Sequence, residues 1–208
     1  DFYWVTKTYG TSAANIGDRH GHNILSFGYS INGDVQFPTA PGGTYSANNL
    51  GCQSCHDPHD FNHRNELMLY GSNSPKKFPS TFTGFNAVPA PVILSAGRRT
   101  NKDSTSTRKK PVSNSVHTAF GSGMTAWCGA CHPNFVSSVA NHTHPVNVPM
   151  SSEVRGAYDS YIATGNLGGS TATSYFEKVP FETGSSDYNT LSTTSTFGPA
   201  SGAQVMCL

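Results

Sequence analysis

Cys52-Gln53-Ser54-Cys55-His56 decides how this chain is read, together with its echo at Cys128-Gly129-Ala130-Cys131-His132. Cys-x-x-Cys-His is the attachment signature of c-type haem: two thiols spaced to bond the two vinyl groups of one porphyrin, followed at once by an imidazole that reaches the iron. Cys-x-x-Cys alone also serves structural zinc and redox dithiols. A zinc ribbon would use the four thiolates and leave His56 and His132 unexplained, and no βαβ pattern surrounds either pair as a thioredoxin-like dithiol requires. The two signatures therefore predict covalent haem c, with His56 and His132 as proximal iron ligands.

Composition fits a chain organised around such a cofactor. Only 36% of the 208 residues are hydrophobic, a thin supply for a side-chain core. A covalently held macrocycle adds apolar surface to wrap, and its thioethers restrain loops much as disulfides do. The predicted fold class is mostly coil with few short helices and short strands, in a single multihaem domain over residues 1–208 that wraps closely stacked haems. Four of the 5 cysteines lie in the signatures, leaving Cys207 and making structural disulfides improbable. Attachment of c-type haem follows export in bacteria, so the motif places the protein outside the cytoplasm. The chain opens at Asp1 without a leader or membrane-spanning run, which suggests a removed leader or a start partway along. A net charge of +1 argues against a nucleic-acid partner, and the cations Arg98, Arg99, Lys102, Arg108, Lys109 and Lys110 around Asp103 read as a solvated loop.

Along the chain, the aromatics Phe2, Tyr3, Trp4 and Tyr9 suit packing against a macrocycle or a short strand. Residues 28–34 read as a short strand ending in a turn, and Pro41-Gly42-Gly43 as a turn leading into the first signature. Residues 62–69 suit two helical turns closed by Gly71, while the proline-rich stretch at about 78–115 reads as an irregular exposed insertion. Residues 124–138 show near-helical spacing around the second signature. The best-defined helix starts at Ser151 or Ser152 as N-cap, with Glu153 in its first turn, and runs to Gly165 as its stop. The Ser-, Thr- and Gly-rich tail from Gly168 suits turns and coil.

Each haem iron has two axial positions, and the signature histidine fills one. Of 9 histidines, His20, His22, His59, His63, His117, His142 and His144 are left, against the competing thioethers Met68, Met124, Met150 and Met206. The histidine surplus favours bis-histidine ligation, which gives a lower potential than a methionine ligand. His59, three residues beyond His56, faces the same way as that proximal ligand on a helical turn, so it serves a different haem if it binds iron. Its other reading is a hydrogen bond to a propionate or the backbone. His22 is preferred to His20 and His144 to His142, His117 lies behind the flexible Gly121-Ser122-Gly123, and His63 reads as a surface residue. The candidate distal ligands are thus His22, His59, His117 and His144, more than two complete signatures need.

The chain resembles the multihaem c-type cytochromes of metal-reducing bacteria, in particular the extracellular filament-forming tetrahaem (OmcE-like) nanowire type. The resemblance is carried by Asp1 to Trp4, Gly21-His22-Asn23, Ala40 to Thr44, the run from Cys52 to Asp57-Pro58-His59, Gly121 to Met124 before Trp127-Cys128, and Val205-Met206-Cys207-Leu208. In such proteins a signature precedes the Asp-Phe-Tyr-Trp stretch, and the segment like Met206-Cys207-Leu208 continues into another. The resemblance therefore implies a fragment with two complete haem sites and a third broken at Cys207. It further implies an extracellular or cell-surface homopolymer of identical subunits, with haems stacked along the filament, some axial histidines crossing subunit boundaries, and electrons passed to other redox proteins or extracellular acceptors. That reading makes the protein an electron conduit and not an enzyme. The alternatives are a monomeric periplasmic multihaem carrier and a multihaem reductase, which would keep one haem five-coordinate.

Overall fold

A computed structural model describes residues 21–25, 32–57, 69–74, 88–95, 113–136 and 145–207. Among them, regular structure is sparse: helices α1 (Cys52–Cys55), α2 (Met124–Gly129), α3 (Pro133–Val136) and α4 (Ser152–Ser160), and strands β1 (Ile93–Leu94) and β2 (Ala119–Phe120). Three single 3-10 turns, at Ala47–Asn49, Thr171–Thr173 and Tyr188–Thr190, punctuate the coil. The expected coil-dominated architecture is what the chain adopts. No helix among the described residues is long and apolar enough to cross a membrane.

The antiparallel pair β1–β2, with Ile93 opposite Phe120, seeds a wider ladder of isolated bridges. Phe120 pairs in parallel with Glu182, Glu182 antiparallel with Gln204, and Gln204 antiparallel with Pro149. Five distant pieces of chain are thereby laid side by side, and the last of them carries Met206 and Cys207 towards α2. Of the stretch at about 78–115, residues 88–95 and 113–115 are described; the first of these holds β1, and Ile93 is wholly buried. The physical reason is pairing: Val92 N donates to Ser122 O at 2.9 Å and Gly121 N to Val92 O at 2.7 Å, which satisfies the backbone beside Pro89 and Pro91.

One core cluster gathers Leu69, Tyr70, Ile93, Phe120, Trp127, Cys131 and Met206, with Cys55 and Cys128 packed against it. Burying each large side chain of this kind stabilises the fold by about 1.5–3 kcal/mol. A second cluster joins Tyr175, Phe181 and Ala203, against which Met150 and Tyr158 pack. Tyr158 is the tooth by which α4 grips that cluster: its hydroxyl donates to Val179 O at 3.0 Å and accepts from Phe176 N at 2.9 Å. The tail after Gly168 is coil, as its composition suggests, yet it supplies this second core.

Helix α4 begins as its sequence predicts. The Ser151 hydroxyl accepts from Val154 N at 3.3 Å, and Glu153 lies in the first turn. It ends at Ser160, short of Gly165, because Tyr161 turns extended with ψ 119°. The Ser160 carbonyl is taken by Gly169 N at 2.9 Å and the Asp159 carboxylate by the Thr171 and Ser174 hydroxyls, so the returning chain caps the helix early. Gly165, with φ 82°, serves the tight turn that follows. Of the two earlier elements, Leu69 is bridged to His56 in extended conformation, and residues 62–68 lie outside the described residues. Residues 26–31 also lie outside them, but the expected turn is present: Asp34 Oδ1 accepts from Gln36 N and Phe37 N at 2.8 and 3.0 Å.

The turn at Pro41-Gly42-Gly43 closes a hairpin in which Ala40 N donates to Tyr45 O and Ala47 N to Pro38 O. A Cβ on Gly43 would run into the carbonyl oxygen of Cys131, deep inside van der Waals contact. Gly43→Ala is therefore expected to destabilise the fold by about 1–3 kcal/mol, the usual cost of overpacking a tight contact. Denaturant unfolding of the variant against the parent checks this.

Candidate haem-attachment centre

The first signature is held from inside its own loop. In α1, Ser54 is fully buried and is the middle of a hydroxyl network. Its Oγ donates to Asn49 O at 3.0 Å, accepts from Gly51 N at 3.0 Å and lies 3.1 Å from the Tyr45 hydroxyl. Cys52 is left exposed and Cys55 half-buried on the rigid turn this creates. His56 leaves the helix in extended conformation, as its ψ of 140° shows, and bridges to Leu69.

The second signature sits on α2 and breaks after it. Pro133 disfavours a helical conformation for His132 and itself starts α3, where its missing N–H costs nothing. Glu182 caps the front of α2, its carboxylate accepting from Met124 N at 2.5 Å and also from Thr125 N. His132 Nδ1 lies 2.7 Å from Pro41 O, an arrangement in which Nδ1 donates its proton to the carbonyl. That contact leaves Nε2 as the ring nitrogen with a lone pair, the tautomer a metal-binding histidine is usually held in by such a partner. The Pro41-Gly42-Gly43 turn, which its position suggested would lead into the first signature, instead grips the second; Asn134 N also donates to Gly42 O at 2.9 Å.

His22 faces His132 with ring centroids 6.0 Å apart and planes 24° from parallel. Burial, and then the neighbouring His132, hold the His22 pKa below the ordinary imidazole value, which favours the neutral form that can donate a lone pair. The ring is positioned by its neighbours: Asn23 Nδ2 donates to Asp34 Oδ2 at 2.7 Å and Leu25 N to Leu50 O at 2.8 Å.

His117 is placed differently. It is 2% exposed, stacked on Tyr175 with centroids 3.5 Å apart, and both ring nitrogens face backbone carbonyls: Nδ1 that of Thr118 at 3.1 Å and Nε2 that of Ser195 at 2.6 Å. Nε2 has no lone pair free while it holds Ser195. His59 and His144 lie outside the described residues, as do His20, His63 and His142 and the aromatic run 1–10.

The two signatures share one small volume. Tyr70 N donates to Cys55 O and Trp127 Nε1 donates to Tyr70 O, both at 2.8 Å, so one buried residue bonds each signature to the other. The Cys55 and Cys131 thiols are pushed up to about 11, Cys131 by burial and Cys55 by burial together with Cys131 and Cys52. Cys207 N donates to Thr125 Oγ1 at 3.3 Å, which sets the C-terminal segment against α2. Among the described residues no group of three or more His, Cys, Asp or Glu is spaced to hold a metal ion by itself. Thiols kept protonated in an apolar pocket, beside a His132 ring whose Nδ1 is held by Pro41 O, fit a covalently held macrocycle better than a thiolate metal site. Tyr70, Ser54, the Pro41 carbonyl and Glu182 were not foreseen from the sequence. Ser54 alone had a local signal, a hydroxyl three residues after Gly51 at the start of a short helix.

No protein-family model matches the chain. It is 32% identical to the C-type cytochrome OmcS of Geobacter sulfurreducens over 232 aligned positions, covering 92% of this chain and 51% of that cytochrome. The structure matches the Outer Membrane Cytochrome S filament from Geobacter sulfurreducens with a TM-score of 0.72 at 29% identity, over 100% of this chain and 60% of the other. It matches the OmcS nanowires of the same organism, solved by cryo-EM, with a TM-score of 0.68.

Burial raises the Glu182 pKa above its ordinary value of 4.5, against the opposing pull of the Met124 and Thr125 N–H groups. A carboxyl whose folded pKa is raised stabilises fully below its unfolded pKa, and that contribution is lost as pH rises through the folded pKa. Glu182→Gln keeps an oxygen acceptor for α2 without the charge. Thermal unfolding followed from acid to neutral pH is expected to show the parent losing ground to this variant as pH rises. In both sequence and fold, the chain is similar to the C-type cytochrome OmcS, of which it spans about half.

Proposed function

We propose that this chain is part of an electron-conducting, extracellular cytochrome filament, carrying c-type haem at Cys52/Cys55 and at Cys128/Cys131. The observation that supports it most is the packing of both signatures into one core, joined through Tyr70. Cofactors anchored there lie close together, which a chain of electron hops requires. When bound, haem supplies the one-electron iron chemistry that the polypeptide lacks.

The protein's own part is to anchor, orient and insulate. The four signature cysteines fix two edges of each macrocycle, and Ser54 and Glu182 keep the helical turns that carry them rigid. His132 presents Nε2 because Pro41 O holds Nδ1, and His22, beside it, would supply the second imidazole to the same haem. Leu69, Tyr70, Phe120, Trp127 and Met206 exclude water, which favours fast electron exchange over reaction with solvent. His56 would bind the iron of the first site, and His59 and His144 would serve other haems. His117 would join them only by giving up its Nε2 contact with Ser195 O. Haem held by two histidines would leave no place for a substrate, so the proposed role is electron transfer and not reduction of a small molecule.

Carbon monoxide separates these roles. The reduced native protein is expected to bind none, and His22→Ala to gain one carbon monoxide per chain together with a high-spin signal. Stoichiometric binding by the parent would point to an open reductase haem.

The narrower assignment is an OmcE-like tetrahaem subunit, with Cys207 opening a third signature and neighbouring copies exchanging axial histidines. Negative-stain images showing filaments, with a pyridine haemochrome count of four haems per native polypeptide, are the expected result. A monodisperse single subunit would favour the periplasmic carrier instead.

A further inference from the structure

Helix α2 has no cap of its own. Gly123, just before its first residue, lies in the left-handed region at φ 97° and brings no side chain, so the free N–H groups of the first turn are met from elsewhere in the chain. Glu182 supplies the acceptor: Oε1 takes Met124 N at 2.5 Å, and the carboxylate also takes Thr125 N. Two backbone bonds to Gln204 and the parallel bridge to Phe120 hold it in place, and the residue is 1% exposed.

A neutral amide or hydroxyl oxygen would cap this helix as well. What a carboxylate adds is charge, and a buried charge ordinarily has a cation beside it. Among the described residues no Lys, Arg or His pairs with Glu182. The titratable groups that face it are Cys128 on α2 and Cys207 on the C-terminal segment, while Phe120 on β2 is apolar. Cys128 lies four residues after Met124, about 6 Å along the helix axis. A cofactor bonded there would therefore hang from the helix that the carboxylate caps, and surroundings of low dielectric screen the interaction of their charges only weakly. Thr183 and Gly184, next in the chain, are exposed, so the carboxylate lies one layer below water.

We propose that Glu182 is a redox-linked proton site: it binds a proton when an electron is added at the Cys128/Cys131 haem site and releases it when the electron leaves. The proposal rests on reading those cysteines as an attachment site.

The balance is one for one. The electron comes from a one-electron donor, a neighbouring haem or a chemical reductant, and the proton comes from water. The Glu182 carboxylate forms one O–H bond, and the net charge of the site is the same before and after. An electron arriving alone would leave a buried acid facing one positive charge fewer, and protonation removes that cost. Burial works in the same direction, raising the Glu182 pKa against the pull of the Met124 and Thr125 N–H groups. The potential of the site therefore falls as pH rises from the pKa of Glu182 in the oxidised state to its higher pKa in the reduced state, and is level outside that window. Inside it the electron equilibrium shifts by up to tenfold per pH unit, about 59 mV for one electron.

The test is a spectroelectrochemical titration of the native haem-loaded chain from acid to alkaline pH. Beside it run Glu182→Gln, which keeps an oxygen acceptor for Met124 N, and Glu153→Gln, which removes an exposed acid from α4. The parent and Glu153→Gln are expected to share a pH-dependent transition that Glu182→Gln lacks. The potential of Glu182→Gln should match the acid limit of the parent and lie above the parent at alkaline pH, with circular dichroism showing that the variant folds. Redox-difference infrared spectra of the parent give a readout that needs no variant: a protonated-carboxyl band that grows on reduction and moves on isotope labelling of glutamate, which separates it from haem propionates. Equal slopes in the parent and a folded Glu182→Gln, or no glutamate band in the parent, would overturn the proposal and leave haem attachment standing. A native chain whose Cys128/Cys131 peptide carries no haem by mass spectrometry would overturn both.

Discussion

Everything in this molecule depends on the peptide unit of Tyr70. Its N–H holds the carbonyl of Cys55 and its own carbonyl holds the indole N–H of Trp127, so two signatures far apart in sequence are fixed by two hydrogen bonds through one residue. The side chain between them is completely buried. A backbone pair lost from such a position leaves unsatisfied groups in an apolar core, at about 1–3 kcal/mol for each. Sparse secondary structure makes that cost matter more, because among the described residues no long helix or broad sheet would otherwise keep α1 and α2 in register.

The same economy recurs elsewhere. Backbone carbonyls do what side chains do in richer cores: Pro41 O orients His132, Asn49 O anchors Ser54, and the Val92 and Ser122 carbonyls pair the small sheet. A chain with 36% hydrophobic residues builds two modest clusters among its described residues, and the first is lined by cysteines of both signatures. The arrangement is consistent with a fold in which cofactor and polypeptide share the work of making a core.

Much of this was legible because the informative residues are neighbours in sequence. The Cys-x-x-Cys-His spacing, the Ser151 cap and the glycine-rich turns each rest on local geometry, and each is where the sequence puts it. What stayed hidden is non-local or carried by backbone. Nothing in Pro41-Gly42-Gly43 says which signature its carbonyls will face, and nothing in a proline-rich stretch says that Ile93 will be buried. Glu182 looks like one more polar residue of a Ser/Thr tail until the ladder through Phe120 and Gln204 turns it onto α2. His22 was picked out as a candidate ligand, but its approach to His132 depends on ties from Asn23 to Asp34 and from Leu25 to Leu50 that no motif records.

That crossing of segments has a consequence for how the two proposed haem sites relate. His22 lies before the first signature in sequence and meets the histidine of the second, while the turn that orients His132 also lies before the first. The second site therefore cannot be completed from its own stretch of chain; it needs the segment that leads into the first. With Tyr70 joining the two from the other side, each site is assembled partly from residues that flank its neighbour. Sites built this way hold their separation as tightly as they hold their cofactors, because loosening one displaces ligands or supports of the other. For the electron hopping proposed here, whose rate falls steeply with distance, a fixed separation matters more than the shape of the surrounding coil, and buried hydrogen bonds such as those of Tyr70 serve that separation.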